Sequence, residues 1–130
     1  MPRTDLNEDT MTKILIVEDN EMNRDMLQRR LERKGYQIVC AVDGPEGIQF
    51  AEQELPDLIL MDVALGEMDG WEATTHILSN HRTRHIPIIA LTAHALDSDR
   101  RKSVEVGCVD FETKPISLPD LIEKIERHTR

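Results

Sequence analysis

Hydrophobic positions along the chain fall in short unbroken runs, not in strict alternation with polar ones. Lys13-Ile14-Leu15-Ile16-Val17 and Leu58-Ile59-Leu60-Met61 are the clearest, and residues 36–42, 86–91 and 109–113 are further stretches of strand length, though less purely apolar. Runs of this length, rich in β-branched side chains, predict strands covered on both faces, as in a parallel sheet with helices above and below. Between them the apolar spacing changes to that of helices. Asn20 can cap a first helix whose apolar positions Met22, Met26, Leu27 and Leu31 recur at helical spacing, closed by Gly35. Asp43-Gly44-Pro45 opens a second, with Ile48, Phe50 and Ala51 as its apolar surface, and Met68-Asp69-Gly70-Trp71 turns into a third through Ile77 and Leu78. Asp97 or Ser98 opens a fourth, carrying Val104 and Val106 and stopped by Gly107. Ser117 opens a fifth, with Pro119 in its first turn and Leu118, Leu121, Ile122 and Ile125 inward.

Five strand-helix repeats in succession predict an α/β, doubly wound parallel sheet with right-handed crossovers. The 130 residues suit one core and leave no room for a second ordinary one. The polar opening of the chain reads as a flexible tail over residues 1–11, followed by one domain over residues 12–130. That opening lacks the apolar segment of a secretion signal, and no apolar run approaches the roughly 18 residues of a membrane helix, so the expectation is a cytoplasmic protein without membrane contact. A net charge of -9 argues against direct nucleic-acid binding, because phosphate repels such a surface. From Gly35 to His81 there is no Lys or Arg, while nine acids fall inside that span. Cys40 and Cys108 lack metal-site or disulfide spacing and read as reduced core thiols. The histidines, His81 and His85 included, read as solvated side chains.

Chemistry enters at the strand ends. Glu18 and Asp19 follow the first strand, Asp62 the third, Thr92 the fourth and Lys114 the fifth. In open α/β sheets the C-terminal strand edge is where ligands bind, so these residues are expected to converge on one site. Three carboxylates that close together raise one another's pKa unless a cation offsets them. Oxygen ligands without His or Cys favour Mg²⁺, which keeps several waters and takes a phosphate oxygen. Lys114 can neutralise phosphate charge, Thr92 can hydrogen-bond an oxygen, and Asp62 can serve as nucleophile.

Glu18-Asp19, Asp62 with Asp69-Gly70 downstream, Leu91-Thr92-Ala93 and Lys114-Pro115, in that order, resemble the receiver domain of two-component response regulators, over nearly the whole chain. The resemblance implies a flavodoxin-like sheet of order 2-1-3-4-5 with five helices. It implies Asp62 as phosphoacceptor from a sensor histidine kinase or histidine phosphotransfer protein. It further implies Mg²⁺ bound by Asp19 and Asp62, with Glu18 acting through water and the Ala64 carbonyl completing the set. Thr92 and Lys114 would hold phosphoryl oxygens, the Lys114-Pro115 peptide would be cis, and Thr92 and Phe111 would switch a protein-binding face of the fourth helix, fifth strand and fifth helix. The chain departs from the family pattern at Leu65-Gly66, which replaces methionine-proline and predicts a looser loop after Asp62. It departs again at Phe111, which has no ring hydroxyl, and Ala64 and His94 occupy positions that tune aspartyl-phosphate lifetime in this family. A receiver cut from a hybrid kinase or larger regulator fits the same residues. A small Mg²⁺-dependent phosphohydrolase is disfavoured because Ala64 stands where a second acid would assist turnover, and a flavin carrier because two acids follow the first strand.

Overall fold

The computed structural model describes residues 11–94 and 97–130 of the chain. The tail expected over residues 1–11 lies, except for Met11, outside the described residues. The strands are β1 (Lys13–Val17), β2 (Gln37–Ala41), β3 (Leu58–Asp62), β4 (Ile88–Thr92) and β5 (Asp110–Thr113). The helices are α1 (Glu21–Arg33), α2 (Gly44–Glu54), α3 (Gly70–Ser79), α4 (Asp97–Val106) and α5 (Leu118–Thr129). All strand pairs are parallel and the sheet order is β2-β1-β3-β4-β5, the flavodoxin-like arrangement expected.

The unbroken apolar runs divide by parity, because successive side chains on a strand point to opposite faces. Leu15, Val17, Ile59, Met61 and Ile88 pack on one side with Ala51 of α2 and Ala73 and Ile77 of α3. Ile14, Ile16, Leu58, Leu60, Ile89 and Leu91 pack on the other with Leu27 and Leu31 of α1 and Leu121 and Ile125 of α5. Each such side chain, fully withdrawn from water, contributes about 1.5–3 kcal/mol of hydrophobic stabilisation. α4 packs against α3 and β5.

Not every apolar position of the helices turns to the sheet, and some strand bounds differ from those expected. Met22 and Met26 of α1 are 78% and 47% exposed, because the helix meets the sheet along the narrower line of Leu27 and Leu31. Val104 is 74% exposed, and the inward side of α4 is carried by Ser103. Tyr36 and Val42 fall outside β2, and Val109 outside β5. Ile86 precedes β4, yet it is buried with the α2 and α3 cluster. Asp62 closes β3, at the strand's C-terminal end as expected, and Thr92, expected just after its strand, is the last residue of β4.

Local sequence explains the helix starts. The side chains of Asn20, Asp43 and Asp69 each accept a hydrogen bond from the backbone amide three residues on, at 2.9, 2.8 and 2.8 Å. Gly35 and Gly107, just past α1 and α4, have φ of 97° and 103°, the left-handed region a side chain disfavours. Cys40 and Cys108 are free and half-buried, and burial pushes each thiol up to about 11, which leaves both protonated and inert at neutral pH.

Candidate functional site

Sheet register brings the strand-end residues together. Val17 pairs with Met61, so Glu18 comes level with Asp62; Asp62 pairs with Leu91, so Thr92 lies one step beyond. Thr92 pairs with Thr113, which sets Lys114 at the same edge. Backbone hydrogen bonds continue past the strand ends and hold this rim: Glu18 N donates to Ala41 O at 3.1 Å, Val63 N to Leu91 O at 3.0 Å, and Lys114 N to Thr92 O at 2.7 Å.

Glu18, Asp19 and Asp62 each offer a carboxylate oxygen, and these oxygens lie within 4.8 Å of one another. Glu18 and Asp62 are buried at 2% exposure, while Asp19 opens to solvent. Lys114 Nζ sits between the two buried acids, 3.2 Å from Glu18 Oε1 and 2.9 Å from Asp62 Oδ2. Burial, then the hydrogen bond and charge of Asp62, push the Glu18 carboxyl up to about 7, against the opposing pull of the Asn20 amide and Lys114. Burial alone would lower Lys114, but its hydrogen bond to Asp62 and the charges of Asp62 and Glu18 outweigh that and hold it above the usual lysine value. One amine therefore serves two carboxylates, and negative charge remains in excess. An all-oxygen set of this kind fits a hard divalent cation such as Mg²⁺ and not zinc.

Gly70 fixes the loop that carries Asp62. Its amide donates to Val63 O at 3.1 Å, and a Cβ there would run into the Asp62 backbone oxygen and come within 2.7 Å of Val63 Cα. The remaining Asp62 oxygen, Oδ1, accepts from the Ala64 amide at 3.0 Å, while the Ala64 side chain faces solvent. Leu65-Gly66, expected to loosen the loop after Asp62, divides between a buried and an exposed residue. Leu65 is 8% exposed and packs into the α2 and α3 cluster, which anchors the loop on that side.

Thr92 is fully buried, and its hydroxyl donates to Asp99 Oδ2 of α4 at 3.1 Å and accepts from the His94 amide at 3.1 Å. Phe111 is half-buried between two cations, with the Arg100 guanidinium 5.0 Å and Lys124 Nζ 5.5 Å from its ring centroid. The Lys114-Pro115 peptide is cis. Sequence reasoning missed three supports of the site: the Asn20 amide on Glu18 Oε2 at 3.2 Å, Arg24 on the Glu18 carbonyl at 3.0 Å, and Asp99. Arg24 lies one turn into α1, and only the docking angle of that helix reveals its reach. An open cleft of about 580 Å³ runs beside Lys114, lined among others by Glu18, Met26, Leu27, Arg30 and Ile116.

A doubly wound parallel sheet with acids and a lysine gathered at its carboxyl edge defines the class. Residues 14–126 match the family described as the response regulator receiver domain, and the chain belongs to that family, which works in two-component signalling. It is 40% identical over 119 residues to the polar-differentiation response regulator DivK of Brucella ovis, an alignment spanning 91% of this chain and 97% of that protein. The fold is similar to that of the chemotaxis protein CheY4 of Vibrio cholerae, with a TM-score of 0.86 at 27% identity over 91% of this chain and 98% of that one. It is also similar to the receiver domain of the sensor histidine kinase PA1611 of Pseudomonas aeruginosa, solved with magnesium coordinated in its active-site cleft: TM-score 0.85, 36% identity, 92% and 98% coverage. Among the described residues no helix is long and apolar enough to cross a membrane.

Proposed function

We propose that Asp62 is the phosphoacceptor of a cytoplasmic signalling switch, loaded from the phosphohistidine of a sensor kinase or a histidine phosphotransfer protein. The observation that carries this reading is the meeting of Glu18, Asp19 and Asp62 within 4.8 Å, with Lys114 2.9 Å from Asp62. An Asp62 carboxylate oxygen attacks phosphorus, the phosphorus-nitrogen bond breaks, and the pair of electrons leaves with the imidazole. Lys114, already charged and aimed at Asp62, stays to balance the oxygens of the transferred group. Thr92 donates its hydroxyl to one of those oxygens. Asp19, Asp62 and the Ala64 carbonyl, with Glu18 through water, would hold Mg²⁺, which would supply charge neutralisation and alignment of the incoming phosphate. The metal-bound relative PA1611 supports this assignment at 36% identity.

Output is assigned to the face made by α4, β5 and α5, where Thr92 and Phe111 report the state of Asp62 by shifting an existing two-state equilibrium. The decisive test uses a small-molecule phosphodonor with Mg²⁺, followed by intact-protein mass measurement. The wild type gains one phosphoryl mass, and Asp62→Asn or omission of metal abolishes the gain. Equal labelling of Asp62→Asn would transfer the acceptor role to another residue.

A further inference from the structure

Thr92 is held by a partner outside the strand edge. Its hydroxyl oxygen lies 3.1 Å from Asp99 Oδ2 and 3.3 Å from the His94 carbonyl, and it accepts from the His94 amide at 3.1 Å. A threonine hydroxyl has a single proton to give. The Asp99 carboxylate is the nearer and stronger acceptor of the two, since a bond to a charged oxygen outweighs one to a neutral carbonyl. Asp99 is itself fixed: its carbonyl accepts from the Ser103 hydroxyl at 2.9 Å, and Ser103, buried at 3% exposure, passes its own carbonyl to the Cys108 amide at 2.9 Å. The carboxylate therefore sits on a braced turn of α4, not on a free side chain. The next residue, Arg100, stands over Phe111, so this one turn touches both residues assigned to the switch.

The phosphoryl site needs the same proton. We propose that Asp99 is a positioning residue for that site: its carboxylate competes with the phosphoryl group for the Thr92 hydroxyl and so sets how tightly Asp62 and its neighbours hold that group. The inference rests on the phosphoacceptor reading above. While Thr92 donates to Asp99 it cannot donate to an oxygen on Asp62, and occupation of the site must break the Thr92 to Asp99 bond. The carboxylate left behind is then freed from β4, and the turn carrying Arg100 loses its tether to the sheet.

The test titrates the Mg²⁺-loaded full chain with beryllofluoride, a stable mimic of the phosphoryl group, and reads affinity by calorimetry. Asp99→Ala binds about tenfold more tightly than wild type, equivalent to about 1.4 kcal/mol. Asp99→Asn, which preserves shape and offers only a neutral oxygen, gains by a smaller factor and serves as the comparison should the alanine variant misfold. On a Thr92→Ala background the Asp99 substitutions change nothing, because the contested proton is gone; a merely structural effect on α4 would persist there. Unaltered affinity in both single variants, or a gain that survives in Thr92→Ala, overturns the role of Asp99 alone. Failure of the wild type itself to bind beryllofluoride overturns the phosphoacceptor reading, and the role of Asp99 with it.

Discussion

Glu18 makes the metal-free fold less stable as pH rises, and the size of that effect follows from its position. The carboxyl is raised from the usual 4.5 to about 7, chiefly by burial and then by Asp62. Between those values the folded protein keeps a proton that the unfolded chain has released, so stability declines through this window and is level above it. Full conversion of the interval gives roughly 3 kcal/mol, at 1.36 kcal/mol for each pH unit. Lys114, one-quarter exposed, links the pair to solvent, and the screening this allows reduces the expected loss to about 1–2 kcal/mol. Urea denaturation in the presence of a chelator, from about pH 5 to about pH 8, reads this loss as a falling midpoint. Glu18→Gln keeps the shape and removes the ionisation, so the difference between the two proteins isolates Glu18 from every other titrating group. Parallel pH profiles for wild type and Glu18→Gln would refute the reasoning. Adding Mg²⁺ should erase the decline, since the ion takes the charged carboxylates and its affinity rises as Glu18 loses its proton.

Lys114→Met removes the amine between Glu18 and Asp62 and is expected to raise the Glu18 pKa further and to abolish phosphoryl retention while leaving the fold intact; NMR titration and mass measurement report the two effects, and an unchanged Glu18 titration would count against the shared amine. Gly70→Ala forces a Cβ into the Asp62 and Val63 backbone, with an expected loss of about 1–3 kcal/mol in urea denaturation and a weaker Mg²⁺ site; wild-type stability would mean the loop can move away. Ala64→Asn places an amide at the solvent-facing position beside Asp62 and should alter the lifetime of the aspartyl phosphate by changing water access, so indistinguishable decay rates would contradict it.

The sheet was legible because a strand covered on both faces must be apolar through its interior, as β1, β3 and β4 are; the acids at the ends of β1 and β3 then marked the working edge. The inward faces of the helices were less legible. Met22 and Met26 share the helical spacing of Leu27 and Leu31, and spacing alone does not reveal how wide a strip the sheet can cover. Register was out of reach as well, although the whole site depends on it: shifting β1 by one residue against β3 would carry Glu18 to the opposite face from Asp62. The bond from Thr92 to Asp99 left no trace in local pattern, because it depends on where α4 docks, and an Asp one turn into a helix looks like any solvated or capping residue.

The register of β3 has a mechanical consequence. This strand is flanked on both sides, by β1 and by β4, and Asp62 closes it with its chain continuing into one further ladder bond from Val63. Asp62 is thus mounted on a strand hydrogen-bonded along both edges, where the backbone has little freedom to shift. On the phosphoacceptor reading, displacement would pass outward to Thr92 and the turn of α4 bonded to it, making the site a fixed hub that yields at its rim.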